Sequence, residues 1–140
     1  MYRLETIASY IINHINDVKP FQLHKLLFYS QGFHYKYYNR PLINEDFFAF
    51  NNGPVIKTHI STIEYLIDNP KQNVQLNADI SQLLDTIINE FGQLHIVDLS
   101  DRVKLENPWK ICRSFYKNDD TCTVRISKSF IQYHFKNYII

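Results

Sequence analysis

The sequence is poor in residues that break helices and in cysteine, the residue that cross-links small secreted proteins. Its 140 residues include three glycines, five prolines and two cysteines. It has no Gly-rich loop that could cradle a phosphate group. Nothing indicates secretion, so we expect Cys112 and Cys122 to be ordinary thiols of a reducing compartment, although the sequence leaves a bridge between them open. The scarcity of glycine beside an aromatic content of 15% favours a densely packed helical body or an adhesive surface.

The chain also has little net charge and no long apolar run. A formal net charge of +1 gives no overall reason to expect nucleic acid or an anionic membrane as a partner. The first twelve residues are interrupted by Glu5, Thr6 and Ser9, so they do not form the apolar core of a signal peptide. No stretch approaches the length of a transmembrane helix. We therefore expect a soluble, cytoplasmic, single-domain protein with a core of its own.

The most informative stretch begins after Pro20, a residue that fits the first turn of a helix. Apolar residues then recur at steps of three and four up to Tyr37, and Phe28, Tyr35 and Tyr38 add a second apolar flank. A helix that is apolar on most sides lies inside a bundle. The sequence thus predicts a mainly α, compact single domain around this central buried helix, with at most a small β element. The row expected to face water or a partner comprises Gln22, Lys25, Tyr29, Gly32 and Lys36.

Periodicity and turn residues predict the remaining elements. The expected helices are one carrying the stripe Leu4 to Ile15, one starting at Pro54 and ending before Pro70, one carrying Ile80 to Phe91 with Gly92 as a left-handed stop, a shorter one within 94–105, one capped by Asn107 and running to Phe115, and one capped by Ser127. The alternating segment 121–126 is expected to form a strand. Residues 47–50 are either a short buried strand or an extended link.

Little in the sequence indicates catalysis. The six histidines have no metal-site spacing, and no serine lies in a Gly-x-Ser-x-Gly elbow. The carboxylates of Glu45 and Asp46 are sequence neighbours, which point apart in a helix or strand. We therefore expect no enzyme activity, no metal and no cofactor.

A group of basic and aromatic residues on and after the central helix allows three interpretations. Its members are Lys25, Tyr29, Tyr35, Lys36, Tyr37, Tyr38 and Arg40. Aromatic rings interleaved with cations can bind single-stranded nucleic acid. They can equally complete the core of a helical domain, which the near-zero net charge favours, or anchor a protein interface. A nucleic-acid-binding module is therefore the alternative function, although the near-zero net charge does not favour nucleic acid as a partner.

Several motifs, taken in order, resemble those of one known family. They are Lys25-Leu26-Leu27, Tyr29 with Gln31, the segment from Pro41-Leu42 to Phe50, Gly53-Pro54-Val55, and Glu106-Asn107-Pro108-Trp109-Lys110. Together they resemble the Panacea domain, the SocA-like antitoxin fold of bacteria and their phages. Two positions depart from the family pattern, because Phe50 stands where tryptophan is common and Asn52 where an aromatic residue is common.

The resemblance implies a single Panacea domain over residues 1–140 that neutralises a cognate toxin by direct protein–protein binding. It allows two mechanisms, sequestration of the toxin or its delivery to a protease, which would then be a second partner. We expect the partner-binding residues to be Lys25, Tyr29, Gln31, Asn52, Gly53 and Pro54. The competing interpretation is that Lys25 and Gln31 hydrogen-bond to the backbone of the turn Asn52-Gly53-Pro54 and are therefore structural.

Overall fold

The computed structural model describes residues 1–115 and 123–138, which fold around one long helix. Within these ranges there are seven α-helices and three β-strands: α1 (Leu4–His14), α2 (Pro20–Tyr38), β1 (Phe47–Phe50), β2 (Gly53–Val55), α3 (Ile60–Asp68), α4 (Ala78–Phe91), α5 (Ile96–Val103), α6 (Asn107–Ser114), β3 (Val124–Ile126) and α7 (Lys128–Lys136). The predicted class, mainly α with a small β element, is confirmed.

Helix α2 is the centre of the fold, as its sequence predicts. It begins at Pro20, where the missing amide would be unpaired in any case, and it ends at Asn39 in a left-handed conformation with φ of 57°. Every residue from Leu23 to Tyr35 is buried. Helices α1, α3, α4, α5 and α7 and strand β2 all pack against it. An apolar surface on most sides of one helix therefore does produce a helix enclosed by others.

The core beside α2 is an aromatic cluster. The rings of Tyr29 and Phe91 stack with centroids 3.9 Å apart, and Phe33 meets Phe135 edge to face at 5.3 Å. A Cβ atom at Gly32 would lie 2.4 Å from the ring of Phe135. The missing side chain at Gly32 therefore lets α7 approach α2 closely.

The three strands form a small antiparallel sheet in the order β2-β1-β3. Phe48 pairs with Val55 on one side and with Arg125 on the other. Residues 47–50 are thus a central strand, which decides between the two alternatives that the sequence left open. The guanidinium of Arg113 donates to the carbonyl of Ala49 at 3.2 Å, so α6 is tied to this strand.

The expectation that Pro54 begins a helix is wrong. Pro54 lies in β2, opposite Ala49, and the helical path starts with the 3-10 turn Lys57–His59. Gly53 has a φ of 131°, a conformation that only glycine adopts readily. Since β2 is an edge strand, the amide that proline lacks is not needed for pairing. The turn at Asn51 and Asn52 therefore connects two strands.

Two predicted helix boundaries also differ in detail. Gly92 has a right-handed φ of −71°, and the absence of a side chain matters there because a Cβ atom would lie 2.6 Å from the carbonyl oxygen of Ile88. Asn107 is the first residue of α6, and Glu106 occupies the N-cap position. In contrast, the cap at Ser127 is confirmed, since its Oγ accepts from the amide of Phe130 at 3.1 Å.

Part of two sequence expectations lies outside the described residues. Cys122, which the sequence leaves open to pairing with Cys112, falls there. The strand expected over 121–126 is described from position 123, and its strand begins at Val124.

Candidate functional site

Segments that carry the family motifs meet at the turn between β1 and β2. The indole Nε1 of Trp109 donates to the carbonyl of Phe50 at 2.7 Å, which fixes α6 to the start of the turn. A Cβ atom at Gly53 would lie 3.1 Å from Cε of Lys25, so the side chain from α2 packs directly beneath the turn. Three motifs that are far apart in sequence thus form one structural unit.

Lys25 is an internal lysine with unusual surroundings. Lys25 is 1% exposed. Its ammonium lies 2.9 Å from the centroid of the Phe21 ring and 3.5 Å from the Phe21 carbonyl oxygen. In the part of the chain that the structure describes, no carboxylate forms an ion pair with it. Burial, and secondarily the charge of Lys104, lowers the pKa of Lys25 to about 7. The protonated form of Lys25 is therefore destabilised in the folded chain, because its ammonium is poorly solvated.

Gln31 acts as a clamp on a different segment. Its side-chain oxygen accepts from the amides of Leu42 and Ile43 at 2.8 and 3.0 Å, and its Nε2 donates to the carbonyl of Ile43 at 3.0 Å. These bonds satisfy buried backbone groups of the chain that follows Pro41. Gln31 therefore supports a backbone segment, although not the turn for which that role was considered.

Tyr29 belongs to a third arrangement, centred on the carboxylate of Glu106. The Glu106 oxygens accept from the hydroxyl of Tyr29 at 2.7 Å and that of Tyr138 at 3.0 Å, and His134 Nε2 lies 2.9 Å away. Burial, followed by the neighbouring charge of Glu106, raises the pKa of Tyr29. The same causes raise the pKa of Tyr138 to about 12. We call these four residues the Glu106 cluster.

The structure does not bring the six predicted partner-binding residues onto one surface. Lys25, Tyr29 and Gln31 are buried, so the expectation that Lys25 and Tyr29 form part of a solvent-facing row is wrong. Of the turn residues, Gly53 is buried with its neighbour Pro54, and Asn52 is exposed. The structure joins Lys25 to Gly53 but turns Tyr29 and Gln31 toward other segments. The partner-binding role of these residues stays a prediction, and Asn52 is the one whose side chain a docking protein could reach directly.

The aromatic and basic group proposed for nucleic acid is dispersed in the same way. Tyr29 and Tyr35 are buried, while Tyr37 is exposed. The ammonium of Lys36 donates to the carbonyl of Tyr138. Stacking on bases requires exposed rings beside available cations. The core interpretation of most of this group is therefore the one that the structure supports.

An open groove lies beside the Glu106 cluster, between α6 and α7. Its volume is about 460 Å³, and its lining residues are Asn107, Phe130, Tyr133, His134, Asn137 and Tyr138. The side of Tyr133 that faces away from the core is open, since the residue is 70% exposed. We call this the α6/α7 groove. Two of its lining residues, His134 and Tyr138, are also members of the Glu106 cluster.

The sequence carried only a faint signal for this region. Glu106 precedes the Pro-Trp motif, and His134 falls on the apolar stripe of the last helix. Neither position shows that the two side chains meet each other and Tyr29. The signal that could have been used is a carboxylate among apolar neighbours, because such a group needs hydrogen-bond donors when it is buried.

Two further features of the described residues concern metal ions and membranes. No group of three or more His, Cys, Asp or Glu side chains within 1–115 and 123–138 is arranged to hold a metal ion. Over the same ranges, none of the helices has the length and apolar character needed to cross a bilayer.

Comparison with known proteins identifies the family. Residues 23–110 match the model of the family described as antitoxin SocA-like, Panacea domain. Comparisons with curated proteins and with solved structures give no significant match. The matched segment runs from the second turn of α2 to the middle of α6, which includes Lys25, the β1–β2 turn and Trp109. The chain therefore belongs to the SocA-like antitoxin family with a Panacea domain.

Proposed function

We propose that the chain is an antitoxin that neutralises a cognate toxin by binding it directly. The observation that carries this proposal is the match of residues 23–110 to the antitoxin family, over the same segments that meet around α2. The α6/α7 groove supports it, because an open aromatic surface on a well-packed helical body suits a protein partner. The proposed action is binding, without delivery of the toxin to a protease as a required step.

We also propose that the chain is not an enzyme. Thr58, His59 and Glu45 lie in the order of a nucleophile, base and acid, with 2.8 Å between the Thr58 hydroxyl and His59 Nδ1 and 3.7 Å between His59 Nε2 and the carboxylate. Thr58 is exposed and adjacent in sequence to its base. Such a contact lacks the dry, preorganised surroundings that make a hydroxyl a strong nucleophile. A Thr58→Ala variant should neutralise the toxin as well as the wild type does.

Co-expression with the protein encoded by the adjacent reading frame tests the proposal. That protein, induced alone, should arrest growth, and growth should return when this chain is produced with it but not when an unrelated helical protein is. If the adjacent product arrests growth and this chain gives no protection, the proposal is wrong.

The same cells separate the two mechanisms. In a host that lacks its ATP-dependent proteases, sequestration should still restore growth while the toxin remains at an undiminished level. Loss of protection in that host, together with toxin that disappears only when the proteases are present, would instead indicate delivery to a protease.

A further inference from the structure

We propose that the α6/α7 groove is the toxin-binding surface and that it accepts an amphipathic helix of the toxin with an acidic polar face. This inference deepens the proposed function and depends on it. It replaces the buried residues Lys25 and Tyr29 with a surface that a partner can reach without unfolding the chain.

The size and lining of the groove suit a peptide segment. Its volume of about 460 Å³ leaves room for side chains of a partner. Phe130 and Tyr133 lie on one face of α7, Asn137 follows its last residue, and Asn107, the first residue of α6, lines the same groove. Tyr133 provides a large ring with few rotatable bonds, which is the kind of residue that dominates the energy of an interface. Apolar side chains of a partner could insert beside it.

The charges around the groove define the partner further. Helices α6 and α7 contain no Asp or Glu, and they carry Lys110, Arg113, Lys128 and Lys136. Arg113 and Lys128 are occupied within the fold, by the carbonyl of Ala49 and by the carboxylate of Asp46. Lys110 and Lys136 are exposed, and each lies within one turn of a groove residue. The complementary surface is therefore negative.

The nearby carboxylate of Glu106 is not available to a partner. Glu106 is 6% exposed, and both of its oxygens are engaged by Tyr29, His134 and Tyr138. The same bonds hold His134 and Tyr138 in place along the groove. A surface that is ordered before binding loses less side-chain entropy on association. Phe130, Tyr133 and Asn137 are spaced by three and four residues, which is the ridge against which a partner helix packs, so the groove favours a helix over an added strand.

The test uses the purified growth-arresting product of the adjacent reading frame as the probe and calorimetric titration as the assay. Tyr133→Ala should weaken binding by about 30-fold, the effect of a typical anchor residue. The double reversal Lys110→Glu with Lys136→Glu should weaken it by at least about tenfold at low salt. Matched controls are Tyr65→Ala, an equally exposed tyrosine on α3, and Lys71→Glu, an exposed lysine outside the groove; both should bind within about threefold of wild type.

The outcomes separate this inference from the proposed function. If the wild type binds and Tyr133→Ala binds equally well, the groove assignment is overturned and the antitoxin function stands. If Tyr133→Ala weakens binding but charge reversal strengthens it, the acidic character is overturned. If the wild type shows no binding to the probe, both proposals fail.

Two more measurements examine the occupant itself. Overlapping peptides of the probe protein should include one acidic, helix-forming peptide that competes for the groove; competition only by a basic or extended peptide would contradict the inference.

Light scattering of the free chain should give the same mass for wild type and Tyr133→Ala. A wild-type dimer that Tyr133→Ala converts to a monomer would show that a second copy occupies the groove, and would overturn the inference.

Discussion

Replacing Lys25 by methionine should make the protein more stable at neutral pH, although the lysine lies within the family motif. Methionine keeps the unbranched apolar stem that packs beneath Gly53 and removes the buried ammonium. The ammonium receives no ion pair from the described residues, so its desolvation is offset mainly by the ring of Phe21. The prediction therefore tests whether this lysine opposes folding.

The magnitude follows from the pKa of Lys25. A fall from 10.5 to about 7 costs the protonated form about 5 kcal/mol at about 1.4 kcal/mol per pH unit, and roughly 4 kcal/mol of this is lost stability at pH 7, where half of the folded lysines are neutral. Lys25→Met removes this cost and should gain about 2–4 kcal/mol, which corresponds to a rise in Tm of about 7–14 °C for a chain of this size.

The pH dependence provides the sign test. Between the folded pKa of about 7 and the unfolded value near 10.5, the unfolded chain holds more protons at Lys25, so wild-type stability rises with pH across that window. The advantage of Lys25→Met should therefore shrink to less than about 1 kcal/mol at pH 10.

Urea denaturation at pH 7 and pH 10 measures both effects. Lys71→Met, at an exposed position, is the control and should change stability by no more than about 0.5 kcal/mol at either pH. A Lys25→Met variant that is less stable than wild type at pH 7 would refute the reasoning, because it would mean that the charged lysine has a stabilising partner.

Three further substitutions test the packing and the buried polar groups. Gly32→Ala should cost about 1–3 kcal/mol in thermal unfolding, because the new Cβ would lie 2.4 Å from the ring of Phe135. Gln31→Leu should cost about 2–4 kcal/mol, since it leaves two buried amides without an acceptor. His24 accepts from the amide of Ile56 at 3.1 Å, and burial, then the charge of Lys25, lowers its pKa to about 4. Wild-type stability should therefore fall as pH drops from 6.5 to 4, by up to about 3 kcal/mol, and His24→Asn should reduce that slope.

Each of these has a clear contrary result. An unchanged Tm for Gly32→Ala would mean that α7 can move away from α2 at little cost, and an unchanged stability of Gln31→Leu would mean that water reaches the amides after Pro41. For His24, equal acid slopes in wild type and His24→Asn would assign the loss of stability to other groups. Gln82→Leu, at an exposed position of α4, is the control for Gln31→Leu and should change stability much less.

The sequence predicted those features that depend on local chemistry and on one dominant periodicity. Pro20, the continuous apolar surface of α2 and the cap at Ser127 were all correctly assigned, because each depends on residues within a few positions of one another. Pro54 was not, because a proline suits both a first helical turn and an edge strand. Only the pairing of Gly53–Val55 with β1 decides between them.

The site was less predictable, because burial of a polar residue depends on distant partners. The sequence predicts an exposed position for Lys25 and Tyr29 because they lie on the row of α2 that its apolar flanks leave for water or a partner. Tyr29 finds its partner in Glu106, which is 77 residues away in sequence, and Lys25 lies under a turn formed by another segment. The α6/α7 groove could not be predicted from the sequence, because it is a gap that forms only when two helices pack and no sequence motif marks it.

The central claim is direct binding, and calorimetric titration of the purified chain with the purified growth-arresting product of the adjacent reading frame measures it. We expect saturable binding with a Kd below about 1 μM, which is about −8 kcal/mol. Restoration of growth in cells without any detectable binding between the two purified proteins would contradict the account.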